Sequence, residues 1–267
     1  MSRIKACFSA LNVSGKKALI PYIVGGDPHP ETSVAQMHAL VAAGADIIEL
    51  GVPFSDPMAE GPVIQLAHER ALLHNTSLID ILDMVRNFRL KDNVTPVILM
   101  GYLNPVEVMG YEVFAEKAAI AGVDGVLTVD LPPEEADELK SALSASDIDT
   151  IFLIAPTTEA DRVKKICKAA TGYLYYVSLK GVTGASHLDV DSVLEKVTEI
   201  RESTDLPVSV GFGIKDDQSA KAVAQIADGV VVGSALVKSY ALQAQEKDWD
   251  ASLAPALIQS MRSAMDE

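Results

Sequence analysis

Eight times along the chain, a short apolar run gives way to a longer stretch with apolar residues at helical spacing. The runs cover residues 18–24, 46–52, 95–100, 125–129, 150–154, 173–178, 207–210 and 229–232. After them the pattern predicts helices over 31–43, 63–88, 134–145, 159–169, 190–201 and near 216–226. A helical segment also runs from Tyr102 to Ala121-Gly122, and a last helical region opens at Ser234. Regular alternation implies parallel strands joined by right-handed crossovers. Eight units in 267 residues predict a closed (β/α)8 TIM barrel, a fold of typically about 250 residues. An open doubly wound sheet competes, but no Gly-x-Gly-x-x-Gly follows the first strand. No Ser/Gly linker or composition break divides the chain, so residues 1–267 are expected to form one barrel domain. Residues 2–11, with Ile4, Phe8 and Leu11 at helical spacing, predict a short N-terminal helix covering one end of it. Pro133 suits the first turn of the 134–145 helix, and the glutamates after it favour the positive helix end.

Composition narrows the partners. At 49% hydrophobic residues the chain can bury a sizeable core. A formal charge of −15 argues against nucleic acid or an anionic membrane, because phosphates require Lys/Arg neutralisation. A small anionic substrate stays open, held by backbone N–H groups rather than a basic patch. Cys7 and Cys167 lie far apart, match no metal spacing and read as reduced thiols. His29, His38, His68, His74 and His187 show no ligand spacing and read as surface or helix residues, so no metal site is expected. There is no apolar signal segment, and no apolar run approaches the ~18 residues of a membrane span. A soluble cytoplasmic protein is the expectation.

In such barrels the site lies at the C-terminal ends of the strands and on the loops that follow. The stretch from Asp46 to Gln65 carries the strongest candidates. Strand alternation sets Ile47 and Glu49 on one face and Ile48 and Leu50 on the other. Glu49 therefore shares a face with a core residue, where an unpaired carboxylate is costly. Glu60, on the loop beyond, can return over the same strand end. A rigid carboxylate and a loop-borne one suit a proton-transfer pair. A structural ion pair at Glu49 and a solvated loop carboxylate at Glu60 are the plainer readings. Tyr102, Asp130 and Tyr175 also fall at or near strand ends. Gly211-Phe212-Gly213 and Gly233-Ser234 follow the last two strands, and Gly181-Val182-Thr183-Gly184 follows the sixth. Glycines there admit close backbone approach, and the helix opening at Ser234 points free N–H groups the same way, which favours phosphate. No Ser/His/Asp or Cys/His arrangement competes. The residues themselves lead to acid–base chemistry on a phosphorylated small molecule.

The chain resembles the tryptophan synthase alpha-subunit family. The matching segments begin with Pro21-Tyr22-Ile23-Val24-Gly25-Gly26-Asp27-Pro28, the Glu49 to Gln65 stretch and Met100-Gly101-Tyr102-Leu103-Asn104-Pro105. They continue in family order with Asp124-Gly125-Val126-Leu127, Gly181-Val182-Thr183-Gly184, Gly211-Phe212-Gly213-Ile214 and Val232-Gly233-Ser234-Ala235. The resemblance implies retro-aldol cleavage of indole-3-glycerol phosphate to indole and glyceraldehyde 3-phosphate. It assigns general acid/base catalysis to Glu49 and the second carboxylate to Glu60. It implies phosphate binding at Gly184, Gly213, Gly233 and Ser234. It implies an indole pocket of Tyr22, Met100, Leu127, Val129, Leu153, Tyr175, Phe212 and Val231. Asp56 and Thr183 match a pair that closes two loops over the substrate. The implied partner is a beta subunit in an α2β2 complex. That subunit holds pyridoxal phosphate and receives indole through a tunnel; this chain needs no cofactor.

Two positions depart from the family pattern. Glu60 stands where the family commonly has Asp, adding one methylene at similar acidity. Leu179-Lys180 precedes Gly181 where many relatives carry Arg first. Because of Glu60, a catalytically weak subunit that mainly activates beta is the alternative reading. Another phosphate-binding barrel lyase or isomerase is a further one, disfavoured by the specific Leu50 to Pro57 run.

Overall fold

The computed structural model describes residues 2–178, 190–211, 213–243 and 253–267. The eight apolar runs become strands β1 (Ala18–Val24), β2 (Ile48–Gly51), β3 (Val97–Gly101), β4 (Gly125–Thr128), β5 (Asp149–Ile154), β6 (Leu174–Val177), β7 (Val208–Gly211) and β8 (Gly229–Val232). Each pairs in parallel with its successor, and β8 pairs back onto β1 to close a barrel. The expected (β/α)8 fold is therefore the observed one.

Alternation along the strands sorts side chains into two apolar layers. Ile20, Ile47, Ile98, Leu127, Ile151, Tyr173 and Val231 fill the barrel interior. Leu19, Ile23, Ile48, Leu50 and Leu99 face outward into the helix shell. Helix α1 (Arg3–Val13) plugs the N-terminal end by burying Ile4 and Phe8 in the interior layer. Its Phe8 ring lies 5.8 Å from that of Tyr173.

The shell holds α2 (Ser33–Ala42), α3 (Pro62–Leu73), α4 (Leu78–Arg89), α5 (Leu103–Met109), α6 (Tyr111–Ala121) and α7 (Asp137–Ala145). It continues with α8 (Ala160–Ala169), α9 (Val190–Arg201), α10 (Asp217–Ala224), α11 (Ser234–Gln243) and α12 (Leu253–Asp266). Three sequence expectations need correction here. The 63–88 helix is two, broken where Asn75 takes φ 57° and Ser77 forms a capping box with Asp80 to start α4. The helical segment after Tyr102 is also two, α5 and α6, divided at Gly110 with φ 87°. Helix α7 opens at Asp137, so Pro133 stays in the preceding loop and Asp137 and Glu138 supply the first-turn acids.

The N-terminal end of the barrel is tied by a repeated device. Asp46, Asp124, Thr171 and Asp228 each precede an even-numbered strand. Each donates its backbone N–H to a carbonyl on the preceding odd strand: Leu19, Val97, Thr150 and Val208 respectively. Each side chain then accepts the N–H of that same residue, at 2.8, 2.8, 2.8 and 3.0 Å. These reciprocal pairs satisfy backbone groups at the strand starts and leave the opposite mouth to other uses.

Candidate active site

A cavity of about 510 Å³ opens at the C-terminal ends of the strands. Met100, Val129, Leu153, Tyr175, Val177 and Val231 give it apolar walls from β3 to β8. Tyr22 closes one side and Gly213, Gly233 and Ser234 form the rim. Two tyrosines reach in because the neighbouring strand carries glycine. A Cβ at Gly51 would sit 2.4 Å from the Tyr22 Oη, and one at Gly211 would sit 2.1 Å from the Tyr175 Oη.

Glu49 lies on β2, in register with Tyr22 on β1 and Ile98 on β3, and is 0% exposed. Its Oε1 accepts a 2.5 Å hydrogen bond from the Tyr173 hydroxyl. Its Oε2 is buried with no hydrogen-bond partner, and no cation pairs with it among the described residues. Burial pushes its carboxyl up to about 7; the Tyr173 bond opposes this and the charge of Glu60 adds to it.

Glu60 is half-buried on the cavity wall, and burial pushes its carboxyl up to about 7 as well. The β2–α3 loop that carries it is pinned at several points. The Phe54 ring stacks on Tyr102 at 5.1 Å. The Ala59 N–H donates to the Tyr102 hydroxyl at 3.0 Å, and the Gln65 amide donates to the Glu60 carbonyl at 2.8 Å. Tyr102 thus acts through the loop, and Asp130 accepts the Leu103 N–H at the start of α5. Two carboxyls whose proton affinities burial raises toward neutral pH can each give or take a proton there.

At the rim, Ser234 starts α11, whose unpaired N–H groups and dipole favour an anion. Gly213 has φ 81°, a conformation that suits glycine. Lys215 and Lys238 also line this end of the cavity and make no salt bridge among the described residues. The sequence reading assigned no lysine there. Lys238 follows Ser234 by one helical turn, and that spacing was the available signal.

The other expected site residues divide into three groups. Leu127 is fully buried in the interior layer and is not on the cavity wall. Asp56 is exposed on the loop, where its carboxylate accepts from Ser55 at 2.6 Å. Thr183, Gly184 and Phe212, with Leu179, Lys180 and Gly181, lie outside the described residues. His68, read from sequence as a surface or helix residue, is on α3 but only 2% exposed, and it contacts both the loop and Tyr22. Among the described residues no helix is long and apolar enough to cross a membrane.

Known proteins match this chain along its whole length. The family model described as "Tryptophan synthase alpha chain" matches residues 8–266. A tryptophan synthase alpha chain from Thioalkalivibrio sulfidiphilus is 60% identical over 266 residues, covering 100% of both chains. One from Alkalilimnicola ehrlichii is 59% identical over 267 residues, covering 100% of this chain and 97% of its own. The crystal structure of tryptophan synthase subunit alpha from Legionella pneumophila has a TM-score of 0.92 at 49% identity, covering 100% of this chain and 99% of that one. The chain belongs to the tryptophan synthase alpha chain family, lyases that cleave indole-3-glycerol phosphate in tryptophan biosynthesis.

Proposed function

We propose that Glu49 and Glu60 carry out this cleavage as a proton-transfer pair within one barrel domain spanning residues 1–267. The observation that carries the reading is the buried Glu49 carboxyl, with one oxygen held by Tyr173, the other unpartnered, and its affinity for a proton raised to about 7. Protonated Glu49 delivers its proton to the indole ring carbon that bears the side chain. Glu60 takes the proton from the indole nitrogen, or stabilises the positive charge developing there. Ionised Glu49 then accepts the glycerol hydroxyl proton as the carbon–carbon bond breaks. The bonding pair returns to the ring, the nitrogen regains its proton, and indole and glyceraldehyde 3-phosphate separate. The proton inventory closes, so both groups return to their starting states.

The apolar walls receive the indole ring, with Tyr22, Met100, Val129, Leu153, Tyr175 and Val231 in contact, Phe212 completing the pocket and Leu127 packed behind the walls in the interior layer. The phosphate rests on Gly213, Gly233 and Ser234 together with Gly184. Asp56 and Thr183 close the two loops and exclude water. The longer Glu60 side chain is accommodated by the loop backbone. A beta subunit that holds pyridoxal phosphate takes up the indole in an α2β2 complex, this chain itself needing no cofactor. The exposed Met58, on the loop beyond β2, and Val108, in α5 after β3, offer apolar surface for such a partner. The complex works in the cytoplasm.

Indole release from indole-3-glycerol phosphate by the purified chain, alone and with a beta subunit, tests the reading. Slow turnover that rises sharply with beta is expected, and Glu60→Gln is expected to suppress it. Activation of beta without any indole release would overturn the catalytic assignment, and an unimpaired Glu60→Gln variant would remove Glu60 from it.

A further inference from the structure

The buried His68 contacts two parts of the site through opposite ring nitrogens. Its Nδ1 accepts the Phe54 backbone N–H at 3.0 Å, and its Nε2 lies 3.5 Å from the Tyr22 hydroxyl. A backbone N–H can only donate, so Nδ1 carries no proton. Burial pushes the imidazole down to about 4, so the ring is neutral at physiological pH and its single proton sits on Nε2. That proton points to the Tyr22 oxygen, which therefore accepts. The phenol is left to direct its own hydrogen elsewhere. Tyr22 lines the cavity, and the charges of Glu60 and Glu49 both act on its hydroxyl. Gly51 supplies the space that the phenol occupies.

We propose that His68 is a positioning residue for the reaction. It pins the Phe54 end of the loop that bears Glu60, and it sets the Tyr22 hydroxyl as a hydrogen-bond donor toward the carboxylate pair and the bound indole. Tyr102 holds the Ala59 end of the same loop through its hydroxyl and stacks on the Phe54 ring, while His68 holds the Phe54 backbone. His68 thus couples two walls of the cavity, the β1 tyrosine and the β2–α3 loop. The inference rests on the assignment of Glu49 and Glu60 above.

The test separates the two links. His68→Asn keeps an acceptor near the Nδ1 position for Phe54 but offers nothing at Nε2. Tyr22→Phe removes the other partner of that link. Each variant is expected to lower kcat about fivefold to tenfold, the worth of one hydrogen bond, with a smaller change in KM. The double variant is expected to be no worse than either single one, because both break the same interaction. A His68→Asn variant with wild-type kcat, or losses that multiply in the double variant, would overturn the proposal. Nitrogen-15 NMR of the wild-type imidazole supplies a readout without any substitution. A proton on Nε2 that holds from pH 6 to 8 is expected, and a proton on Nδ1 would overturn the proposal. This readout does not involve the carboxylates, so an unimpaired Glu60→Gln variant would end their assignment while the tautomer still reports on the His68 link.

Discussion

The aspartates at the N-terminal end of the barrel and the two glutamates at its mouth are handled in opposite ways. At the N-terminal end the three aspartates that precede even-numbered strands each have a cation. Asp124 meets Arg3 at 2.9 Å and Arg89 at 2.7 Å, Asp46 meets Arg262 at 3.1 Å, and Asp228 meets Arg201 at 3.0 Å. Each also accepts a backbone N–H. At the mouth, Glu60 lines the cavity and Glu49 is buried where it feels the charge of Glu60, with no cation paired to either among the described residues. Burial pushes Asp228 up, yet the Val208 N–H and Arg201 outweigh it and hold the carboxyl below its usual range. Asp46 is intermediate, since burial there outweighs Leu19 and Arg262 and leaves it raised. Glu49, with only a neutral phenol for support, rises to about 7. Partners thus decide whether a buried carboxylate stays ionised and structural or becomes a group that exchanges protons at neutral pH.

This contrast can be broken from either end. Glu49→Gln is expected to lower kcat for indole release by on the order of 10²- to 10⁴-fold, the usual worth of one acid–base group. A loss below tenfold would return Glu49 to the structural class. Asp124→Ala strands Arg89, itself buried, and is expected to cost about 3–5 kcal/mol in urea unfolding. Its kcat is expected to stay near wild type wherever it is folded. A cost under about 1 kcal/mol would mean that the paired carboxylates do not hold the floor together.

A third expectation concerns pH. Glu49 binds its proton more tightly in the fold, at about 7, than its ordinary value of 4.5. Its favourable contribution is therefore complete below about pH 4.5 and lost as pH rises through 7. The glutamine variant cannot ionise, so its stability relative to wild type is expected to grow between pH 5 and 8, approaching roughly 3 kcal/mol. A gap independent of pH would contradict the raised affinity. The smallest effect belongs to Lys238→Ala, expected to raise KM by about threefold to tenfold at low salt, with the difference shrinking as salt screens the charge. An unchanged KM would leave the rim with backbone groups alone.

Much of this was legible in order along the chain. The runs at 18–24 and 229–232 and the helix at 190–201 match their observed elements residue for residue. These are places where local pattern and tertiary burial agree. The alternation of Ile47, Ile48, Glu49 and Leu50 placed Glu49 inside the barrel, because period-two geometry is local. The break between α3 and α4 was missed although Ser77-x-x-Asp80 spells a capping box, since amphipathic sequence runs on both sides of it. His68 gave no such signal. A histidine on a helix reads the same from sequence whether it faces water or a tyrosine on another strand.

By itself the sequence determined the eightfold alternation, the face that Glu49 occupies, and the glycines at the rim, because backbone periodicity and steric room depend on near neighbours. Only the tertiary structure decided what each polar group meets. The Tyr173 hydroxyl that holds Glu49 is 124 residues away, the Tyr22 that faces His68 is 46 residues away, and Arg262 reaches Asp46 across 216. The affinity of a buried carboxyl for its proton depends on such distant partners and on the solvent they exclude, and these exist only once the barrel has closed.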